Sequence, residues 1–227
     1  MAKGRAERLC VMILSLQHNY IYIRTKKTGS TTIEEVLSKS LGRDDVVVGR
    51  QFRVLKPLLR PDVDIPERRE GSLAPTHVAI DQIAPLLRGD FWDGAFKFTS
   101  ERHPYEKAVS LAYMGWSKGG DRRRKKANGD FGEYLDAVVQ KGKYAGFPLY
   151  SIGGQPVVDD FIRLETLATD LQRIGKRLGI PIPVDLPRER SDSRADRRPA
   201  KEILSDQQKE MVWNHCHREF EMLGYEK

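Results

Sequence analysis

Residues 20–37, Tyr-Ile-Tyr-Ile-Arg-Thr-Lys-Lys-Thr-Gly-Ser-Thr-Thr-Ile-Glu-Glu-Val-Leu, bring a strand, a polar turn and a helix into one short window. Tyr20, Ile21, Tyr22 and Ile23 are all β-favouring residues. Ile33, Val36, Leu37 and Leu41 fall at helical spacing and give one apolar stripe. Gly29 permits the tight turn between the two elements. The first N–H groups of a helix have no partner within it and attract anions. Thr28, Ser30, Thr31 and Thr32 add hydroxyls, and Lys26 and Lys27 add charge, so residues 26–32 form a candidate phosphate cradle. The nucleotide-triphosphate loop G-x-x-x-x-G-K-[ST] is not present, because it needs glycines where Ile21 and Lys26 stand. An ordinary βα turn with solvated lysines has the same composition, so the window does not decide the matter alone.

A second segment bears on that choice. Phe96 and Phe98 alternate with polar residues as in a strand, and Pro104 suits the first turn of a helix. Ala108, Val109, Leu111 and Ala112 would give that helix its buried face. Arg102 then stands at a strand end, where a guanidinium can grip a phosphate through two parallel hydrogen bonds. Ser110 falls about two turns into the helix.

Together these segments make the chain similar to the carbohydrate sulfotransferases (Golgi-type and bacterial), which use 3′-phosphoadenosine 5′-phosphosulfate (PAPS). That family grips the 5′-phosphosulfate with P-K-T-G-[GS]-T-[ST] and the 3′-phosphate with R-[DN]-P-x-x-[RK]-x-[VA]-S. Thr25–Thr32 resembles the first with Lys26 in place of Pro, and Arg102–Ser110 resembles the second with His103 in place of Asp or Asn. Thr76-His77-Val78 resembles the segment carrying the family's catalytic histidine. Residues 160–170 resemble its RxExLxxD segment, and Gly224-Tyr225-Glu226 its usual ending.

The resemblance implies a P-loop-like three-layer α/β fold with a central parallel sheet flanked by helices. It implies that Lys27 contacts the phosphosulfate and offsets charge on the bridging oxygen. Lys26, Thr28, Gly29, Ser30, Thr31 and Thr32 complete the cradle, and Arg102 and Ser110 bind the 3′-phosphate. His77 becomes the general base, a role suited to a group titrating near neutral pH. Glu101 and His103 lie close to the donor motif as weaker candidates, and His215 and His217 suit packing or surface roles. Lys26 either strengthens donor binding or faces solvent. Arg163 and Glu165 either support the nucleotide or form an ion pair fixing the strand end. No metal is implied, and the acceptor would be a hydroxyl, most plausibly of a carbohydrate.

Composition is consistent with this without selecting it. The 227 residues carry 39 Lys+Arg against 32 Asp+Glu, a formal charge of +7 that suits anionic ligands. We read one domain over residues 1–227, with no internal repeat. Residues 44–76, from the apolar Val46–Val48 into a Pro- and Arg-rich stretch, read as a surface excursion. Basic stretches at 118–130 and 185–199 read as mobile loops. The run Arg122–Lys126 is either a solvated loop or a clamp for an anionic acceptor. Helices are expected near 131–140 and 166–178 and from Ser205, where Ser205 and Gln208 suit a capping box. Leu9–Leu16 is too short to span a bilayer and reads as a buried strand. Cys10 and Cys216 have no metal or redox spacing and point to the cytoplasm. A kinase-like ATP reading lacks the loop glycines and an obvious Asp pair for a metal. A nucleic-acid reading lacks aromatic residues among 121–130 on which bases could stack.

Overall fold

The computed structural model describes residues 12–48, 56–63, 79–118, 127–187, 194 and 196–227. The apolar run ending at Leu16 supplies β1 (Met12–Ser15), which turns back into β2 (Tyr20–Ile23). So short a connection can join only antiparallel neighbours, and the register pairs Met12 with Ile23 and Ser15 with Tyr20. Val46–Val48 is not surface excursion but β3, antiparallel to β1. β4 (Phe96–Glu101) runs parallel to β2. After a small hairpin, β5 (Ser151–Ile152) and β6 (Gln155–Pro156), the strand β7 (Asp160–Arg163) runs parallel to β4.

The central sheet therefore has the order β3-β1-β2-β4-β7 and is mixed. Only β2, β4 and β7 meet the expectation of a parallel sheet. β1 alone runs against them, since β3, antiparallel to β1, points the same way as β2.

Alternate residues of the inner strands enter different cores. Met12, Leu14, Ile21 and Ile23 pack with Ile80 and Ile83 of α2 (Ile80–Ile83), Leu87, and Phe91 of α3 (Gly89–Gly94). Ile13, Tyr20 and Tyr22 pack with Ile33, Val36 and Leu37 of α1 (Ser30–Ser38) and with Leu171 and Ile174 of the helix Leu167–Leu178. The sheet is thus flanked by helices on both faces. A third core joins α4 (Pro104–Lys118), α5 (Phe131–Gln140), α7 (Ala200–Ile203) and α8 (Asp206–Leu223), with Leu167–Leu178 as α6. Ser205 and Gln208 form the expected reciprocal cap on α8. Among the described residues no helix is long and apolar enough to cross a membrane.

The chain does contain a repeat, one too short to register among solenoid periods. Pro57-Leu58-Leu59-Arg60-Pro61-Asp62 and Pro85-Leu86-Leu87-Arg88-Gly89-Asp90 share the pattern Pro-Leu-Leu-Arg-x-Asp. The two copies clasp each other about an antiparallel bridge between Leu59 and Leu87. Arg60 N–H donates to Leu86 O (3.0 Å) and Arg88 N–H to Leu58 O (2.9 Å). The guanidiniums repeat the exchange, Arg60 to Pro85 O (3.3 Å) and Arg88 to Pro57 O (3.2 Å). Each arginine also pairs with the aspartate of its own copy, Asp62 or Asp90.

Because β2, β4 and β7 are adjacent and parallel, the residues that follow each of them emerge at one edge of the sheet. Open α/β sheets present ligand crevices at this edge.

Candidate anion-binding site

The turn after β2 is built by two residues in left-handed conformation, Lys27 (φ 61°) and Gly29 (φ 73°). A non-glycine residue there costs on the order of 1–3 kcal/mol and persists only where its surroundings impose it. Gly29 is required for space as well: a Cβ on it would lie 2.7 Å from Leu164 Cδ1. Gly29 is the N-cap of α1, and no side chain caps that helix. The N–H groups of Ser30, Thr31 and Thr32 therefore have no intrahelical acceptor.

The four hydroxyls do not serve one purpose. Thr28 Oγ1 is fully buried against Ser100 Oγ (2.8 Å) and Thr25 Oγ1 (3.0 Å), and Tyr22 OH joins Ser100 from below (2.9 Å). Thr25 Oγ1 also donates to Ser100 O. This network ties the turn to β4 and uses Thr28 for structure. Thr32 Oγ1 donates to Pro187 O (3.3 Å). Ser30 and Thr31 instead accept from Arg24, at 2.9 Å from Nε and 3.0 Å from Nη2. Arg24, which the sequence reading passed over, is buried and also pairs with buried Glu34 at 3.2 Å.

Lys27 Nζ reaches Met114 Sδ at 3.7 Å. Met114 stands one helical turn beyond Ser110 on α4, so Lys27 of the first motif touches the helix that carries the second. Lys26 does not simply face solvent. It is half-buried and donates to Lys143 O (3.1 Å). Burial, then the charges of Lys143 and Lys107, hold its ammonium below the ordinary lysine value.

At the end of β4, Arg102 donates through Nη2 to Glu106 Oε2 (3.0 Å). Its Nε and Nη1 have no acceptor among the described residues. Glu106 also takes Arg194 Nη1 on Oε2 (2.7 Å) and the Ala200 N–H on Oε1 (2.7 Å). Two guanidiniums thus share one carboxylate beside the half-buried Ser110. Arg194 is a second residue the sequence reading missed, since its partner is remote in the chain. Burial depresses Arg102, against the pull of Glu106 and Glu165.

His103, which stands where the motif has Asp or Asn, caps α4. Its Nδ1 accepts the Tyr105 N–H, while Nε2 lies 3.1 Å from Glu226 O, which fixes Nε2 as the protonated nitrogen. Glu165 braces the same turn: it accepts the His103 N–H (2.8 Å) and the Tyr225 hydroxyl (3.1 Å). Arg163 is exposed and makes no ion pair with Glu165 among the described residues. Asp170 accepts the Arg163 N–H (2.9 Å) and the Thr166 hydroxyl (2.7 Å), so it fixes the β7–α6 corner. Beneath the site, Glu101 and Lys107 form a fully buried ion pair at 2.6 Å. Burial alone would depress the Lys107 ammonium, but Glu101 and Glu219 outweigh it and raise its pKa.

His215 and His217 are both exposed on α8, and His215 Nδ1 lies 2.9 Å from the Tyr144 hydroxyl. His77, Cys10 and the basic run 122–126 lie outside the described residues, as do 119–121, 188–193 and 195 within the two expected loops. No group of three or more His, Cys, Asp or Glu fit to hold a metal occurs among the described residues. A cavity of about 520 Å³ opens on the clasp between Arg60 and Arg88. Both guanidiniums there are neutralised by aspartates, and none of the residues of 24–32 lines it.

Compared with known proteins, the chain matches no family model, no curated protein and no solved structure. What the site can do therefore rests on its own donors. They are the first-turn N–H groups of α1 with Lys26 and Lys27 after β2, and Arg102, Arg194 and Ser110 about Glu106 at the start of α4. Such a set suits a ligand with two separated anionic groups.

Proposed function

We propose that this protein is a PAPS-dependent sulfotransferase of P-loop-like fold acting on an acceptor hydroxyl of a carbohydrate. The observation that carries the reading is the contact of Lys27 Nζ with Met114 on α4, the helix that carries Ser110 and that Arg102 immediately precedes. One motif alone would fit any phosphate. Two cationic centres fit a donor with a phosphate at each end of its ribose.

In this reading the α1 N–H groups and Lys27 hold the 5′-phosphosulfate, and Arg102 with Ser110 holds the 3′-phosphate. The acceptor oxygen bonds to sulfur as the bridging S–O bond breaks, and adenosine 3′,5′-bisphosphate leaves. The hydroxyl proton passes to a base, for which His77 is the candidate by sequence resemblance. Preorganised donors aimed at the charge on the leaving oxygen are the chief source of acceleration in such transfers. Lys27 is the residue set to supply that charge.

Calorimetric titration tests the reading. Adenosine 3′,5′-bisphosphate should bind in strong preference to adenosine 5′-monophosphate and to ATP with Mg²⁺, and Arg102→Ala should abolish the preference. Equal binding of all three, or preference for Mg·ATP, would overturn it.

A further inference from the structure

The hydroxyls of Ser30 and Thr31 are each 3.0 Å or less from a nitrogen of Arg24. A guanidinium is a donor with no acceptor capacity, so both oxygens must accept from it. Each hydroxyl keeps one proton of its own to give away. No described residue offers either proton an acceptor. Thr28 and Thr32 differ in this respect, since their hydroxyls are engaged with Ser100 and Pro187. These two protons, which have no acceptor among the described residues, thus stand at the first turn of α1, beside N–H groups that likewise have none there.

We infer that Arg24 is a positioning residue, which rests on the proposed donor site: it turns the Ser30 and Thr31 hydroxyls into fixed proton donors toward the bound phosphosulfate. Hydroxyl rotors otherwise adopt whichever direction suits their neighbours. Occupying one side of each oxygen with a buried guanidinium removes that freedom before the ligand arrives. Glu34 balances the charge, so Arg24 acts through the two hydroxyls rather than as a third cation in the cradle. The role requires a guanidinium, because Nε and Nη2 must reach two different oxygens while Nη1 holds Glu34.

The test is a mutant cycle in the whole chain, read by calorimetric titration with adenosine 3′,5′-bisphosphate and, separately, inorganic pyrophosphate. Ser30→Ala with Thr31→Val leaves Arg24 and Glu34 in place and should weaken binding about tenfold, the scale of hydrogen bonds to a charged ligand. Arg24→Gln is made together with Glu34→Gln, so that no buried charge is stranded, and should weaken binding to a similar extent. All four changes together should bind no more than about twofold more weakly than Ser30→Ala with Thr31→Val, because Arg24 has nothing left to orient. Losses that multiply would overturn the proposal, as would wild-type affinity in Ser30→Ala with Thr31→Val. The latter variant decides the question even if the Arg24 variant fails to fold. A wild-type chain that binds pyrophosphate without preferring the bisphosphate would overturn the sulfotransferase reading, and the cycle in pyrophosphate would still judge Arg24. Binding of neither probe would overturn both.

Discussion

His103 Nδ1 accepts the Tyr105 N–H at 3.3 Å and so gives α4 an imidazole cap directly after Arg102. Asp and Asn at this position would do the same work with a carboxylate or amide oxygen. His103 is therefore a helix cap, whatever else it does. His103→Asn should keep stability and bisphosphate affinity, whereas His103→Ala should lose about 0.5–2 kcal/mol of stability. Chemical denaturation of the two variants separates them.

The same cap makes a pH prediction. Burial, the largest influence, lowers the His103 pKa below its ordinary value despite the Glu226 carbonyl. The folded protein thus favours the neutral ring, whose Nδ1 can accept. Its contribution is complete above the ordinary histidine pKa and is lost as pH falls through the lowered one. Denaturation midpoints measured down through mildly acid pH should show the loss in wild type and not in His103→Asn.

Nε and Nη1 of Arg102 have no acceptor among the described residues, so Arg102→Lys should behave as a loss and not as a conservative change. A weakening of bisphosphate affinity by roughly tenfold to a hundredfold is expected, the range for hydrogen bonds to charged groups. Binding of adenosine 5′-monophosphate, which lacks the second phosphate, should change little. Titration of both nucleotides into both proteins checks the assignment.

Lys26 loses its proton at a lower pH than an ordinary lysine, through burial and then through Lys143 and Lys107. Anion affinity should therefore fall as pH rises through that lowered value. Lys26→Met should bind more weakly at neutral pH and show a smaller alkaline decline. Pyrophosphate titrations at stepped pH distinguish this from a lysine that only anchors the Lys143 carbonyl.

The buried pair beneath the site offers a stability test. Lys107→Met strands Glu101 in the interior and should cost about 3–5 kcal/mol. Adding Glu101→Gln removes the stranded charge and should recover much of the loss, as measured by thermal unfolding.

The β2–α1 and β4–α4 units are legible in the sequence because their signals are local: apolar alternation, a glycine or proline at the turn, and a helical stripe. The capping box at Ser205 is local in the same way. The direction of β1 depends instead on how few residues separate it from β2, and β3 on a partner found only in the folded sheet. Arg24 is adjacent to the cradle yet unreadable as its organiser, because its partners lie on the following helix. Arg194 and Glu106 meet from distant parts of the chain, and no local pattern announces such a pair. The six-residue repeat is visible in the letters, but its meaning comes only from the bonds exchanged between its copies.

Those exchanged bonds fasten Leu58–Arg60 to Leu86–Arg88 directly, through backbone as well as guanidinium. The clasp therefore sets where the chain leaves and rejoins this part of the fold, whatever its length in between. Lengthening such a connection costs only about 0.6 kcal/mol per doubling. Residues added between Val63 and Ala79 should thus leave the α2 and α3 side of the sheet in register.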